Sequence, residues 1–367
     1  MKKKIDFSML ILFCIIAAFI GKVVRYTIME NVLVNNGIGW SYLKYLDNHN
    51  THFGLTITNS NTSDIVNASD NSVFFFDKIN FFDIKDYYQF EIYISIIFNI
   101  IIFYLIYKYK KKYTTGESLF IIMSVAVLNI FSFCLAKEPV QMLFFIILFC
   151  ILKSKRSDND KFIKCLLVFL LSALFFRNYY LIMIYYMFII YYFIKWYLLR
   201  KNKIHNIHII ILLLLLLFSY LVLLYVAKFI DADSFNELLR VRQRTSLSKT
   251  DIRSLFASSN LFLFSLNYLI TILRMLFPIE LLLFGPKYFI YVFYQIIITI
   301  VIIRIIKNIH IVDSTYRIAF IIFFSFVLGS AAFEPDFGSW IRHESVLFPI
   351  LIYLIQPIYK KESVIKC

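Results

Sequence analysis

The apolar run at residues 204–226, IHNIHIIILLLLLLFSYLVLLYV, decides the class of this protein. The run contains no Asp, Glu, Lys or Arg and is long enough to cross a bilayer, which takes about 20 residues in a helix. The rest of the chain follows the same pattern, since 60% of its 367 residues are hydrophobic, whereas roughly 45–50% is usual in soluble domains. One globular core cannot enclose that excess, so the sequence predicts an integral membrane protein.

Runs of this kind predict an all-α fold with about ten transmembrane helices in one membrane domain, residues 1–367. The predicted crossings are 7–24, 92–107, 119–136, 140–152, 162–176, 179–194, 204–226, 288–303, 316–333 and 346–359.

Basic residues set the predicted orientation, because Lys and Arg accumulate in cytoplasmic loops. Lysines cluster at the N-terminus, after residue 107, after residue 152 and at the C-terminus. The sequence therefore predicts a multi-pass protein of the bacterial inner membrane with both termini in the cytoplasm. The predicted outer loops are a large one at 25–91, an arginine-rich one at 228–260 and a short charged one at 334–345.

The stretch 261–284 is apolar but is interrupted by Arg274 and Pro278. A single crossing here would reverse the next helix, whose last residues, Arg304 and Lys307, suit the cytoplasm. We therefore expect this stretch to be re-entrant or interfacial, entering and leaving on the outer face, where non-helical backbone is tolerated if it is buried or lines a cavity.

Several function classes are disfavoured by the sequence. The net charge of +15 follows from basic cytoplasmic loops and is not read as a nucleic-acid surface. The five cysteines lack metal-ligand or redox spacing, and phosphate-loop, dinucleotide, nucleophile-elbow and zinc-protease motifs are absent. We expect neither a metal nor a cofactor.

Charges at the outer ends of helices are the informative ones, since topology does not require them. Arg240, Arg242 and Arg244 alternate in the second outer loop, a pattern that suits a multivalent anion, because guanidinium binds phosphate in a bidentate fork. The alternative is a solvated helix face balanced by neighbouring acidic residues.

Two short outer turns carry further candidates. Lys137, Glu138 and Pro139 precede an apolar helix, whose outward N-terminus attracts anions. Arg177 lies between two short crossings, where an arginine is costly without a partner. The alternatives are that Glu138 serves only the helix dipole and that Arg177 extends to the surface.

The stretch EPDFGSWIRHE at residues 334–344 is the most specific pattern. It places three carboxylates beside Arg342 and His343. A carboxylate such as Asp336, or the imidazole, can act as a general base, and an arginine can stabilise a diphosphate leaving group. The alternative is that Arg342 only pairs with a neighbouring carboxylate.

Three stretches together resemble a known family. EPDFGSWIRH at 334–343, Lys137-Glu138 after an apolar helix and FRNYY at 176–180 are similar to the bacterial O-antigen polymerase (Wzy) and EpsG-like polysaccharide polymerases. The plan of ten or more crossings with large outer loops resembles that group as well.

The resemblance implies a GT-C-like glycosyltransferase of the lipopolysaccharide or capsule type. Such an enzyme polymerises repeat units carried on undecaprenyl diphosphate, with a chain-length regulator as a further partner. It implies roles in catalysis for Glu138, Asp336, Arg342 and His343. Substrate binding would fall to other basic residues, namely Lys137, Arg177, Arg240, Arg242, Arg244 and Arg274.

Other functions remain open at this stage. The size of the 25–91 loop also suits a glycosyltransferase that uses a lipid-phosphate sugar, with Asp47 as the base. A flippase of lipid-linked oligosaccharide also needs outer arginines, but it predicts charges within the crossings and two related halves. An acyltransferase with His343 as base and a structural subunit complete the alternatives.

Overall fold

The computed structural model of this chain describes residues 4–29, 72, 75–76, 78–84, 87–199, 206–230, 250–256, 261–285, 288–334 and 336–355. Most of the first predicted outer loop and the arginines at 240, 242 and 244 lie outside these residues. In the described part, helices dominate, and the prediction of a helical membrane protein is confirmed at that level.

The main elements follow one another as a series of helices and two short strands. They are β1 (Lys4–Asp6), α1 (Phe7–Val24), a π-helical turn (Arg25–Met29), α2 (Tyr87–Tyr109), β2 (Lys112–Thr114), α3 (Thr115–Phe131), α4 (Lys137–Lys153), α5 (Asp158–Phe175), α6 (Tyr180–Leu199), α7 (Asn206–Ile230), α8 (Leu261–Leu276), a 3-10 helix (Ile279–Phe284), α9 (Phe289–Lys307), α10 (Ser314–Phe333), α11 (Phe337–Ser345) and α12 (Phe348–Leu354). The strands β1 and β2 pair antiparallel.

Five of the described helices are long and apolar enough to cross a membrane: Phe7–Thr27, Tyr88–Tyr109, Tyr180–Leu198, Phe289–Lys307 and Ser314–Phe333. Three shorter apolar helices accompany them, at Thr115–Phe131, Ile210–Val226 and Phe262–Leu276. Large apolar side chains stay exposed on several of these helices, for example Phe19 on α1 at 70% and Phe218 on α7 at 65%. Exposed apolar faces of this extent suit contact with lipid.

The chain divides into two compact units. The first comprises Met1–Leu181 and Arg342–Gln356, and the second comprises Ile182–Ile341 and Pro357–Cys367.

In the first unit, α1 packs closely against α3. A Cβ atom added to Gly21 would lie 2.9 Å from the Ala126 carbonyl oxygen, so only glycine permits this approach. The side-chain amides of Asn99 on α2 and Asn129 on α3 exchange hydrogen bonds of 2.8 and 2.9 Å. This pairing satisfies two buried amides inside an apolar environment, where an unpaired amide is costly.

The end of α3 differs from the prediction. The apolar run predicts a crossing through residue 136, but α3 ends at Phe131, and residues 132–136 are not helical. Side chains take over part of the backbone hydrogen bonding there, since Arg25 donates to the Ile130 carbonyl at 3.0 Å and Ser95 to the Phe133 carbonyl at 2.8 Å. Apolar composition alone does not reveal such a break.

In the second unit, α10 is buried on nearly all sides, from Ile318 to Ala332. A Cβ atom at Gly329 would lie 2.7 Å from Cγ of Met183, so α6 and α10 meet there at close range. Helix α8 packs against both α7 and α10.

An extended segment in the second unit runs antiparallel to α8. The side chain of Asn267 accepts from the amides of Leu255 and Phe256 at 2.9 and 3.0 Å and donates to the Phe256 carbonyl at 2.8 Å. Two turns further along α8, Arg274 donates to the Arg253 carbonyl at 2.8 Å. The order of these contacts is reversed along the two segments, so residues 253–256 run opposite to the helix.

Helix α8 ends just before Pro278, and the 3-10 helix follows it. Arg274 holds this corner with hydrogen bonds of 2.6–3.0 Å to both carboxylate oxygens of Glu280. Leu283 on the 3-10 helix is 86% exposed, which suits an apolar interface better than water. The interruption predicted from Arg274 and Pro278 is therefore present as a helix end and a corner.

Candidate functional site

A series of contacting side chains in the first unit joins three of the predicted stretches. We call it the polar ring, and it consists of Glu138, Gln141, Arg177, Tyr179, Tyr180 and His343. The Nε2 atom of His343 lies 3.5 Å from Oε1 of Glu138 and 3.4 Å from Nη1 of Arg177. The stretches 137–139, 176–180 and 334–343 of the sequence thus each contribute residues to one place.

The other half of the ring is built from tyrosines and an amide. Arg177 donates to the Tyr179 hydroxyl at 2.9 Å, and the rings of Tyr179 and Tyr180 stack with centroids 5.1 Å apart. The amide nitrogen of Gln141 contacts the Tyr180 hydroxyl at 2.6 Å. Gln141 lies three residues after Glu138, and the two are therefore on the same face of α4.

The turn at residues 132–136, between α3 and α4, is held from one side by a second set of charges. We call Lys22, Arg25 and Glu91 the clamp cluster. Glu91 Oε1 accepts from Lys22 at 2.9 Å and from Arg25 Nε at 2.7 Å, and Glu91 Oε2 accepts from Arg25 Nη2 at 3.3 Å. Lys22 also donates to the Phe133 carbonyl. The cluster therefore fixes α1, α2 and the turn to one another.

The other side of the turn is fastened to α11. The hydroxyls of Ser132 and Ser345 lie 2.6 Å apart, and both donate to the Arg342 carbonyl, at 3.2 and 3.0 Å. His343 is the residue after Arg342 in that helix. The same contacts that fix the turn thus position His343 against Glu138.

Glu138 is 1% exposed and His343 is 5% exposed, and Glu138 precedes the apolar stretch that begins at residue 140. Burial disfavours the charged carboxylate, but the hydrogen bond to His343 and the positive charge of Arg342 outweigh burial, so the pKa of Glu138 lies below its ordinary value. The group is therefore a carboxylate held in charged form by its neighbours.

The position of His343 limits what its Nε2 atom can do. A guanidinium only donates hydrogen bonds, and a carboxylate only accepts them. Nε2 can therefore accept from Arg177 or donate to Glu138, but it cannot do both in one protonation state. The contact with Arg177 and the contact with Glu138 therefore require different protonation states of Nε2.

Two buried atoms of the ring remain open. Among the described residues, Oε2 of Glu138 and Oε1 of Gln141 are buried and have no hydrogen-bond partner. Buried polar atoms are nearly always paired, so these two atoms are candidates for contact with a ligand. Arg177 and Tyr179 are half-exposed members of the ring. The arrangement offers a buried proton acceptor, Glu138, with the charge of Arg342 acting on it and with Arg177 on the other side of His343.

The other predicted site residues are placed differently. Lys137 begins α4 and is half-buried. Arg342 is also half-buried, and its positive charge acts on the carboxylate of Glu138. Asp336 belongs to the second unit, where its carboxylate accepts from the Ser339 amide at 2.9 Å and so caps α11. Arg274, in the same unit, is engaged by Glu280.

Sequence reasoning missed several residues of this region. Lys22, Glu91 and Gln141 were not singled out, although each is a polar residue within or at the edge of an apolar helix. That position is itself a signal, since polar groups in such helices are costly unless partnered. The spacing of Gln141 from Glu138 was a second signal.

Comparison with known proteins gives no relative. No family model, no curated protein and no solved structure matches this chain.

Proposed function

We propose that this protein is a membrane glycosyltransferase that polymerises lipid-linked oligosaccharide repeat units on the outer face of the bacterial inner membrane. The observation that supports it most is the polar ring with the neighbouring Arg342, which together combine a buried charged carboxylate, an open carboxylate oxygen and two arginines. Transfer of a glycan from a lipid diphosphate requires these parts: a base for the acceptor hydroxyl and cations for the leaving diphosphate.

The proposed step balances without a cofactor. The acceptor hydroxyl gives its proton to Oε2 of Glu138 as its oxygen attacks the anomeric carbon of the donor glycan. The new glycosidic bond forms, and the bond from the anomeric carbon to the phosphate oxygen breaks. Undecaprenyl diphosphate leaves with the electron pair, and the proton on Glu138 is then released to solvent, which restores the carboxylate for the next transfer.

The arginines divide into two groups in this proposal. Arg177, which contacts His343, and Arg342, whose charge acts on Glu138, are both half-exposed, so they would bind the diphosphate oxygens nearest the reacting carbon. The guanidinium fork matches phosphate geometry, and a lysine does not replace it. Arg240, Arg242 and Arg244 lie outside the described residues and are proposed as a further diphosphate contact.

Glu138 is the preferred base among the predicted carboxylates. The carboxylate of Asp336 accepts hydrogen bonds from the amide and the hydroxyl of Ser339 in the first turn of α11. Such a helix cap contributes to stability without any ligand. Glu138 instead keeps an oxygen open in a buried position.

The proposed topology has ten crossings, a GT-C-like arrangement and both termini in the cytoplasm. Residues 261–284 would be re-entrant, entering and leaving on the outer face, with residues 253–256 lying antiparallel against α8. The antiparallel contacts of Asn267 and Arg274 support this path.

Cysteine labelling in intact cells tests the re-entrant path. Arg253→Cys and Leu283→Cys, each in a background without the native cysteines, should both react with a membrane-impermeant maleimide, and Lys155→Cys should react only after lysis. Labelling of only one of positions 253 and 283 would mean that the segment between them crosses the membrane once.

Surface glycan length tests the function. A deletion strain should carry glycan of a single repeat unit on gels, and the wild-type gene should restore the ladder. Arg342→Ala and Glu138→Gln, at verified protein levels, should not restore it. Loss of all surface glycan on deletion, including the single unit, would contradict polymerisation and favour a flippase or a transferase that builds the unit.

A further inference from the structure

We propose that Glu138 and Gln141 together form a two-point subsite that recognises the acceptor sugar by two neighbouring hydroxyls. Glu138 would bind the hydroxyl that reacts, and Gln141 would bind the hydroxyl on the adjacent ring carbon. This inference rests on the proposed glycosyl transfer and adds to it the class of acceptor, a sugar with a free neighbouring diol.

The placement of the two side chains supports this pairing. They lie three residues apart on α4 and therefore on one face of the helix, about 5–6 Å apart at their Cβ atoms. Gln141 is fully buried, and Glu138 nearly so. Each has one buried atom without a hydrogen-bond partner among the described residues, Oε2 and Oε1 respectively, and in the proposal neighbouring hydroxyls of one sugar ring bind to these two atoms.

The remaining atoms of the two side chains are already engaged. Oε1 of Glu138 faces His343, and the other end of the Gln141 amide contacts the Tyr180 hydroxyl. Tyr180 is itself buried and stacked on Tyr179. The two open atoms are therefore held in place before any ligand arrives, which reduces the ordering cost of binding.

A hydroxyl is the group that fits the Gln141 position best. It can donate and accept, so it satisfies the open end of the amide whichever way the amide is oriented. An acceptor without that hydroxyl would leave a buried polar atom unpaired. Sites built to bind a hydroxyl reject analogues that lack it far more strongly than apolar pockets reject a missing methylene.

Binding of soluble sugars to the purified full-length protein in lipid nanodiscs tests the subsite. The probes are methyl glycosides of common hexoses and the monodeoxy forms of the glycoside that binds best, with affinity measured by saturation-transfer NMR. In wild-type protein, one deoxy position next to the reacting hydroxyl should weaken binding by about tenfold or more. In Gln141→Met, removal of the same hydroxyl from the sugar should weaken binding by only about twofold or less.

Two further variants keep this test interpretable. Gln295→Met replaces another fully buried glutamine, on α9 in the second unit, and should leave the wild-type ratio intact. Tyr180→Phe removes only the hydroxyl that holds Gln141, and it should give an intermediate ratio. Melting curves identify any variant that fails to fold, and in that event Tyr180→Phe carries the test alone.

The subsite is wrong if wild-type protein binds parent and deoxy sugars equally, if no glycoside binds, or if Gln141→Met discriminates as wild type does. The glycan ladder reports the proposed function separately. If the ladder depends on Glu138 but Gln141→Met discriminates between the sugars as wild type does, only the subsite is overturned. Deletion that leaves the ladder unaltered overturns the function.

Discussion

The clamp cluster and the polar ring are two buried sets of charges in the same unit, and they differ in how completely their hydrogen bonds are made. In the clamp cluster, both carboxylate oxygens of Glu91 accept from cations. In the polar ring, Glu138 uses one oxygen and keeps the other open. A fully paired set stabilises a fold, whereas an incompletely paired one is available to a ligand.

The two sets also differ in what they hold. Lys22 and Arg25 donate to backbone carbonyls at the end of α3 and in the turn after it, so they shape the chain. The ring members contact mainly one another's side chains. We interpret the clamp cluster as the support that positions the ring, and mutations should separate the two roles.

The largest expected loss of stability comes from Glu91→Ala. The change leaves Lys22 and Arg25 buried without their carboxylate, and breaking such a pair costs about 3–5 kcal/mol. The variant should fail to accumulate or should melt far below wild type in a size-exclusion thermal assay. Asp160→Ala, which removes a partly exposed partner of Arg156 and Lys164, should cost under about 1 kcal/mol. Equal melting of the two variants would contradict the supporting role.

The next effect in size is on activity and comes from Arg177→Lys. A lysine keeps the charge but cannot form the planar fork that reaches phosphate, Tyr179 and His343 together. Chain extension in membranes should fall by about 10–100-fold, or 1.4–2.7 kcal/mol, with the melting temperature nearly unchanged. Arg156→Lys, at an exposed ion pair, is the matched control and should retain full extension. Normal extension by Arg177→Lys would remove this arginine from the site.

The smallest expected effect is that of Asn129→Leu. The change leaves the Asn99 amide without its reciprocal partner, and hydrogen bonds between membrane helices are worth about 0.6–2 kcal/mol. Thermal stability should fall slightly, while extension per folded molecule should remain at the wild-type level. A loss of activity larger than the loss of folded protein would mean that the α2–α3 contact also shapes the ring.

Much of the helical framework follows from apolar runs. The α10 helix, Ser314–Phe333, matches the crossing predicted at 316–333 to within two residues, because an uninterrupted apolar run between polar turns has few other solutions in a bilayer. The end of α3 could not be predicted in this way. It depends on Lys22 and Arg25, which are far from it in sequence and reach it only through tertiary packing.

The same distinction applies to the candidate site. Glu138, Arg177, Arg342 and His343 stand out because topology does not require charges at the predicted outer helix ends, and the four residues lie near one another in the first unit. Asp336 stands out for the same reason, yet its carboxylate caps α11. Charge at a helix end therefore marks candidates, but only hydrogen-bond partners separate a cap from a base.

The most direct test of the account compares Glu138→Gln with Glu91→Gln in one strain, measuring glycan chain length per folded molecule and the melting temperature of the purified protein. We expect Glu138→Gln to melt within a few degrees of wild type and to lose at least about 100-fold in chain extension, as for removal of a general base. We expect Glu91→Gln to lose stability and to keep extension in the molecules that remain folded. Full chain extension by a well-folded Glu138→Gln variant would contradict the central claim that the open carboxylate of the polar ring is the base.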